Sequence, residues 1–204
     1  MSAVHKEQSV GAGGEAISEE RSLGWWGMVF FIASEALLFA NLLAGYLYLR
    51  VRAGTWPPPG TGSLDDITLP IINTVILLSS SIPIRFAGRA AARGQMRRAA
   101  WFIFLTVALG TIFLSLQAVE YTTNNFGVTA GVFGSTFYTI TGLHGAHVAA
   151  GLIFLLVNFF RALRGSMTKE KHFSLVAGEM YWHFVDVVWI FVFSLVYLLT
   201  VIKF

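Results

Sequence analysis

Residues 181–199 read YWHFVDVVWIFVFSLVYLL, a run in which one imidazole and one carboxyl interrupt a sequence of aliphatic and aromatic side chains. With its apolar neighbours the run exceeds the ~20 residues that carry a helix across a hydrocarbon core of ~30 Å. A helix is demanded there, because no water is present to satisfy free backbone groups. His183 and Asp186 lie three apart and so share a helical face. An unpaired aspartate at that depth costs ~3 kcal/mol on insertion scales, so a partner or a function is expected of the pair.

Four further runs have the same character. The five candidate spans cover residues 23–49, 67–86, 99–121, 132–160 and 173–202, which predicts an all-α integral membrane protein with five transmembrane helices. Of the 204 residues, 55% are hydrophobic and 12% charged, against about 25% charged in an ordinary soluble domain. The mean hydropathy is +0.67. Residues 1–22, MSAVHKEQSVGAGGEAISEERS, are rich in Gly, Ser and Glu and contain no apolar run, which predicts a disordered or surface tail before a five-span domain over 23–204. They lack the ordered basic, apolar and small-residue regions of a cleavable signal peptide.

The formal net charge of +3 does not indicate nucleic acid, because the charges cluster at the ends of the apolar runs. Arg85, Arg89, Arg93, Arg97 and Arg98 occupy the second connection, and Arg161, Arg164, Lys169 and Lys171 the fourth. The first connection offsets Arg50 and Arg52 with Asp65 and Asp66, and the third carries no charge. Basic loops stay in the cytoplasm, which predicts the N-terminus inside and the C-terminus outside. Arg85, Arg89 and Arg93 recur every four residues beyond Pro83, giving a basic face to a helical extension that meets lipid head groups. Trp25, Trp26, Trp56, Trp101, Trp182 and Trp189 read mostly as interfacial anchors. The absence of cysteine excludes disulfides, covalent haem attachment, iron–sulfur clusters and thiolate-bound copper on this chain.

Ionisable groups inside membrane spans mark functional positions by default. Glu35 lies near the middle of the first span with only Ser34 and Asn41 as polar neighbours, so a neutral carboxyl is expected, since burial disfavours a charge. His144 and His147 repeat the i, i+3 spacing on the fourth span. Around them Gly142, Gly145, Ala146, Ala149 and Gly151 form a small-residue face of the kind that lets helices approach closely, across which the histidines can hydrogen-bond. These histidines with His172 and His183 raise metal or haem ligation as an alternative, and buried acids beside histidines raise proton handling. No Glu-x-x-His motif accompanies them, and a ligand set needs matched depth on facing helices. The residues alone favour a buried acid site over a pump.

The runs YWHFVDVVWIFVF, FGSTFYTITGLHGAHVAAGLIF, SLQAVEY and SEALLF followed by WPPPG, in this order over residues 24–200, resemble subunit III of the haem–copper terminal oxidases, of the cytochrome c oxidase type. The chain looks like the short five-helix bacterial form of that family. The resemblance implies a V-shaped helix bundle holding phospholipids in its cleft, packed directly on oxidase subunit I in the bacterial cytoplasmic membrane, with subunit II and further small subunits in the complex. It implies no catalytic residue, metal or cofactor on this chain, with haem and copper carried by the partner subunits. The implied role is accessory: lipid binding, stabilisation of the complex, and support of proton uptake by subunit I. By the same resemblance Glu35 is the family's buried glutamate and Arg161 its lipid-phosphate contact. Glu120, Tyr121, His144, His147, His183 and Asp186 fall on motif positions as intramembrane polar contacts. A quinol oxidase subunit, or an independent haem-binding or proton-coupled membrane protein, are the alternative readings.

Overall fold

The computed structural model describes residues 23–64 and 66–201, and no strand occurs among them. Its helices are α1 (Ser2–Ala53), α2 (Thr68–Ala92), α3 (Met96–Thr123), α4 (Gly131–Leu163) and α5 (Phe173–Val192). A π-helical segment (Phe193–Leu198) and a last α-turn (Leu199–Val201) prolong α5. The part of α1 before Leu23, on which the expected tail falls, lies outside the described residues. Five helical segments, Leu23–Ala53, Thr68–Ala92, Met96–Thr123, Gly131–Leu163 and Phe173–Val201, are long and apolar enough to cross a membrane.

Local chemistry sets where the helices begin and end. Ahead of α2, Asp66 accepts the backbone N–H of Thr68 at 2.8 Å, and its contacts with Thr68 hold its carboxyl below the usual aspartate value. Pro83 sits inside α2 and removes one backbone donor, yet the helix runs on through Arg85 and Arg89 to an Arg93 cap. There Gly94 takes φ +75°. Its N–H bonds the Ala91 carbonyl while that of Gln95 reaches Ala90, the Schellman closure that favours glycine. Gly165, φ +71°, ends α4 in a similar way, with Ser166 N–H on the Arg161 carbonyl.

The core lies among α2, α3, α4 and α5, centred on Trp182 and Trp189, both 0% exposed. This corrects the reading of these two tryptophans as interfacial anchors. Their indole N–H groups donate to hydroxyls of α2, Trp182 to Ser80 at 2.8 Å and Trp189 to Thr74 at 2.9 Å, so the bundle interior supplies the polar partner that the interface would otherwise offer. Trp25, Trp26 and Trp101 do remain exposed, near the starts of the membrane-length segments Leu23–Ala53 and Met96–Thr123. A Cβ at Gly110 would stand 2.6 Å from the Trp182 ring, and one at Gly151 3.1 Å from it, so these two glycines make room for the indole. Gly142 and Gly145 have ordinary clearance of 3.9 and 3.8 Å, and the expected small-residue face narrows to its Gly151 end.

α1 joins this core only through Phe39, Leu43 and Tyr46 among its described buried residues. It packs on α4 and α5, and 11% of its apolar window is buried against 50% for the last segment. Its inner stripe runs through Phe31, Glu35, Phe39, Leu43, Tyr46 and Arg50, recurring at the three- and four-residue steps of one helical face.

Candidate functional site: polar contacts between the helices

Glu35 is placed opposite α4, where its Oε2 lies 2.9 Å from Nε2 of His147. The other ring nitrogen, Nδ1, sits 2.8 Å from the Leu143 carbonyl. A carbonyl only accepts, so Nδ1 carries a proton. A 2.9 Å contact between Nε2 and the carboxyl then needs one further proton between them, either on the acid or on the imidazole. In both forms the pair is neutral as a unit. Phe31 stacks on Tyr181 at 6.1 Å between centroids and Phe39 meets the His147 ring at 5.0 Å, so aromatic rings one turn to each side of Glu35 flank the contact. Tyr181 also donates to the His147 carbonyl at 3.2 Å. Glu35 is thus placed as a tie between α1 and α4 and not as an isolated carboxyl.

His183 and Asp186 share a face as expected, yet they meet through a third residue. Ser81 of α2 donates to Oδ2 of Asp186 and lies 3.1 Å from Nδ1 of His183. A serine has one O–H, so with that proton committed to Asp186 the imidazole donates to Ser81. The direct pairing of His183 with Asp186 is thus replaced by a three-residue bridge between α5 and α2. His183 Nε2 faces Glu179 Oε1 at 3.8 Å, outside hydrogen-bonding reach.

Glu120, 4% exposed, accepts from Gln117 Nε2 at 3.0 Å, and the same amide reaches Tyr197 OH at 3.3 Å. Tyr121 donates to Thr141 at 2.7 Å. His144 does not hydrogen-bond across a helix contact. Its ring is fully buried, tilted on Trp189 at 4.8 Å and edged by Phe113 at 6.0 Å. His172 lies at the start of α5 with Nδ1 on the Lys169 carbonyl at 2.6 Å. Among the described residues no three of His, Asp and Glu gather closely enough to hold a metal ion.

Arg161 donates to Ser174 at 2.8 Å, and Ser174 in turn to Asn158 at 2.7 Å. Beside it a hollow of about 280 Å³ is lined by Val157, Phe160, Arg161, Arg164 and Ser166. His147, the partner of Glu35, lies nearly four turns away along α4, about 21 Å. The buried acid and the arginine are therefore two places in the fold and not one.

Two further ties were not expected. At the far end of α1, Trp56 donates to Tyr46 at 2.9 Å, Tyr46 pairs with Thr200 at 2.8 Å, and Thr200 donates to Val196 in the π-helical segment at 2.7 Å. Arg50 donates to the Leu199 carbonyl. Ser81 likewise gave no sign in the sequence beyond lying in SSSIP. The signal in each case is a small hydroxyl inside an apolar run, which is common enough to carry little information by itself.

Comparison with known proteins bears on what such a bundle belongs to. The family model for cytochrome c oxidase subunit III matches residues 7–201. Cytochrome c oxidase subunit 3 of Hippopotamus amphibius is 40% identical over 177 residues, spanning 84% of this chain and 68% of that protein. The subunits 3 of Gazella leptoceros and Neotragus moschatus are 40% and 39% identical over the same lengths. The five membrane-length helices and a match running through all of them have one explanation: the chain belongs to the cytochrome c oxidase subunit III family and is part of a membrane-embedded oxidase complex.

Proposed function

We propose that this chain is the accessory, cofactor-free subunit III of a respiratory cytochrome c oxidase. In this reading it packs on subunit I, which with subunit II carries haem, copper and the proton-translocating chemistry, and it binds phospholipid and sustains proton uptake by subunit I. The observation that carries the reading is how the buried ionisable groups are used. Glu35, Glu120, His147, His183 and Asp186 each engage a neighbouring side chain; three of these contacts cross between helices, Glu35 with His147 and His183 and Asp186 with Ser81, while Glu120 reaches Tyr197 by way of Gln117 and His144 is packed among rings. Groups spent on ties between helices suit a scaffold better than a redox or transport centre. The hollow beside Arg161 combines a guanidinium with apolar walls at the end of a membrane helix, a chemistry suited to a lipid phosphate. The bacterial cytoplasmic membrane is what the resemblance to the short form implies, and the inside position of the basic loops follows from the charge distribution.

The test is an oxidase assembled without this chain. Its haem and copper spectra should be unchanged, while proton uptake slows and activity decays faster during turnover than in the complete complex. Loss of a haem signal in proportion to the missing chain would contradict the proposal.

A further inference from the structure

Five arginines end α2 and begin α3, and their arrangement is more specific than a basic loop. A hollow of about 600 Å³ at this end is lined by Arg89, Arg93, Arg97 and Arg98 together with Trp101 and Phe102. A second, of about 500 Å³, lies along α2 towards the middle of the bundle and is lined by Ser81, Ile82, Arg85 and His183. Phe86 and Arg89 line both, so the two adjoin as a trough along α2 whose outer part is bounded by α3 and whose inner part is bounded by His183 of α5. From Arg93 to Ser81 it follows α2 for about 18 Å, slightly more than the ~15 Å depth of one hydrocarbon leaflet. Its outer end is cationic and aromatic, and Trp101, 58% exposed, sits where interfacial tryptophans sit. Towards the membrane interior Ile82 (60% exposed) and Phe86 (44% exposed) present apolar wall.

Among the described residues no ion pair with a carboxylate is made by these arginines. Among the described residues the ion pairs are His147 with Glu35 and His183 with Glu179. Glu179 packs against Gly88 but faces the imidazole and not a guanidinium. Arg98 bonds the neutral Gln95 at 3.1 Å, and Arg89 lies over the Phe86 ring. Arginine forks match phosphate oxygens in geometry and charge, and a basic pocket between membrane helices selects anionic head groups.

We propose that the α2–α3 trough is a binding site for one anionic phospholipid, its phosphate among Arg89, Arg93 and Arg97 and one acyl chain laid along Ile82 and Phe86. This rests on the helices spanning a membrane and not on the lipid role proposed for Arg161. The site discriminates by head-group charge at one end and by chain length at the other.

The test uses the oxidase complex containing the full chain, stripped of lipid in detergent and titrated with phosphatidylglycerol or phosphatidylcholine while bound lipid is counted by native mass spectrometry. Phosphatidylglycerol should bind at least tenfold more tightly, and the Arg93→Gln/Arg97→Gln double variant should lose that preference. Ile82→Trp should weaken long-chain phosphatidylglycerol severalfold and leave a dihexanoyl form unaffected, because it fills the trough without removing charge. Arg161→Gln should leave the preference intact; its loss there would assign the lipid to the other hollow and overturn the proposal. Equal binding of the two lipids would also overturn it. So would displacement by inorganic phosphate at the concentration of the short-chain lipid, which would mark an ion site. If the double variant sheds a partner subunit with lipid binding unchanged, the surface is a protein interface and the proposal fails.

Discussion

Glu35 has no partner within a turn of its own helix, and a reading confined to neighbours in sequence expects a lone neutral carboxyl there. Its partner is His147, on a helix three elements later. Periodicity reveals which residues share a face of one helix and is silent about which faces meet, so the acid was legible and its imidazole was not. Because the pair shares one proton, Glu35→Gln keeps a hydrogen bond, the amide N–H donating to Nε2, and assembly of the complex should be retained on native gels. Glu35→Leu strands a half-buried ring nitrogen and should cost about 1–3 kcal/mol in thermal unfolding of the purified complex. Asp186 is legible to the same extent: its i−3 neighbour His183 was visible, while Ser81, which stands between them, was not. Asp186→Asn can still accept the Ser81 hydroxyl, whereas Asp186→Ala leaves that hydroxyl without its acceptor and loosens the bridge that holds His183. The alanine variant should assemble less well, and equal yields of the two variants would remove the bridge from the account.

The helices themselves were written plainly in the apolar runs, because length and hydropathy set a membrane span with little help from tertiary contacts. Their internal faces were less plain. Tryptophan is expected at membrane interfaces, yet Trp182 and Trp189 fill the core because Ser80 and Thr74 satisfy their indoles and Gly110 and Gly151 clear the space. Neither glycine can be told from the others in the sequence, since what distinguishes it is an indole on another helix. Gly110→Ala should force Trp182 or Leu152 to move, at about 1–3 kcal/mol. Gly142→Ala, whose new methyl meets nothing closer than 3.9 Å, should change stability by no more than about 0.5 kcal/mol. Thermal unfolding of the two variants side by side checks the assignment. α1 shows the opposite case: little of it is buried, and it is held by Glu35 near its middle and by Tyr46 and Arg50 near its end.

The assembled bundle carries its polar groups on its own helix contacts and leaves much of its apolar surface open, as a subunit embedded among lipids and other membrane chains does. A helix bundle has the same internal geometry either way up, so its orientation is an expectation that rests on the distribution of Arg and Lys over the loops. The role of the chain is carried by what it assembles with. A tagged copy should therefore be purified from membranes in mild detergent and its companions analysed for haem and copper. The account predicts recovery of a larger membrane subunit bearing both, in about equal amount, with no Soret band from this chain when it is separated. Recovery of the chain alone and stable, or with a stoichiometric haem of its own, would contradict it.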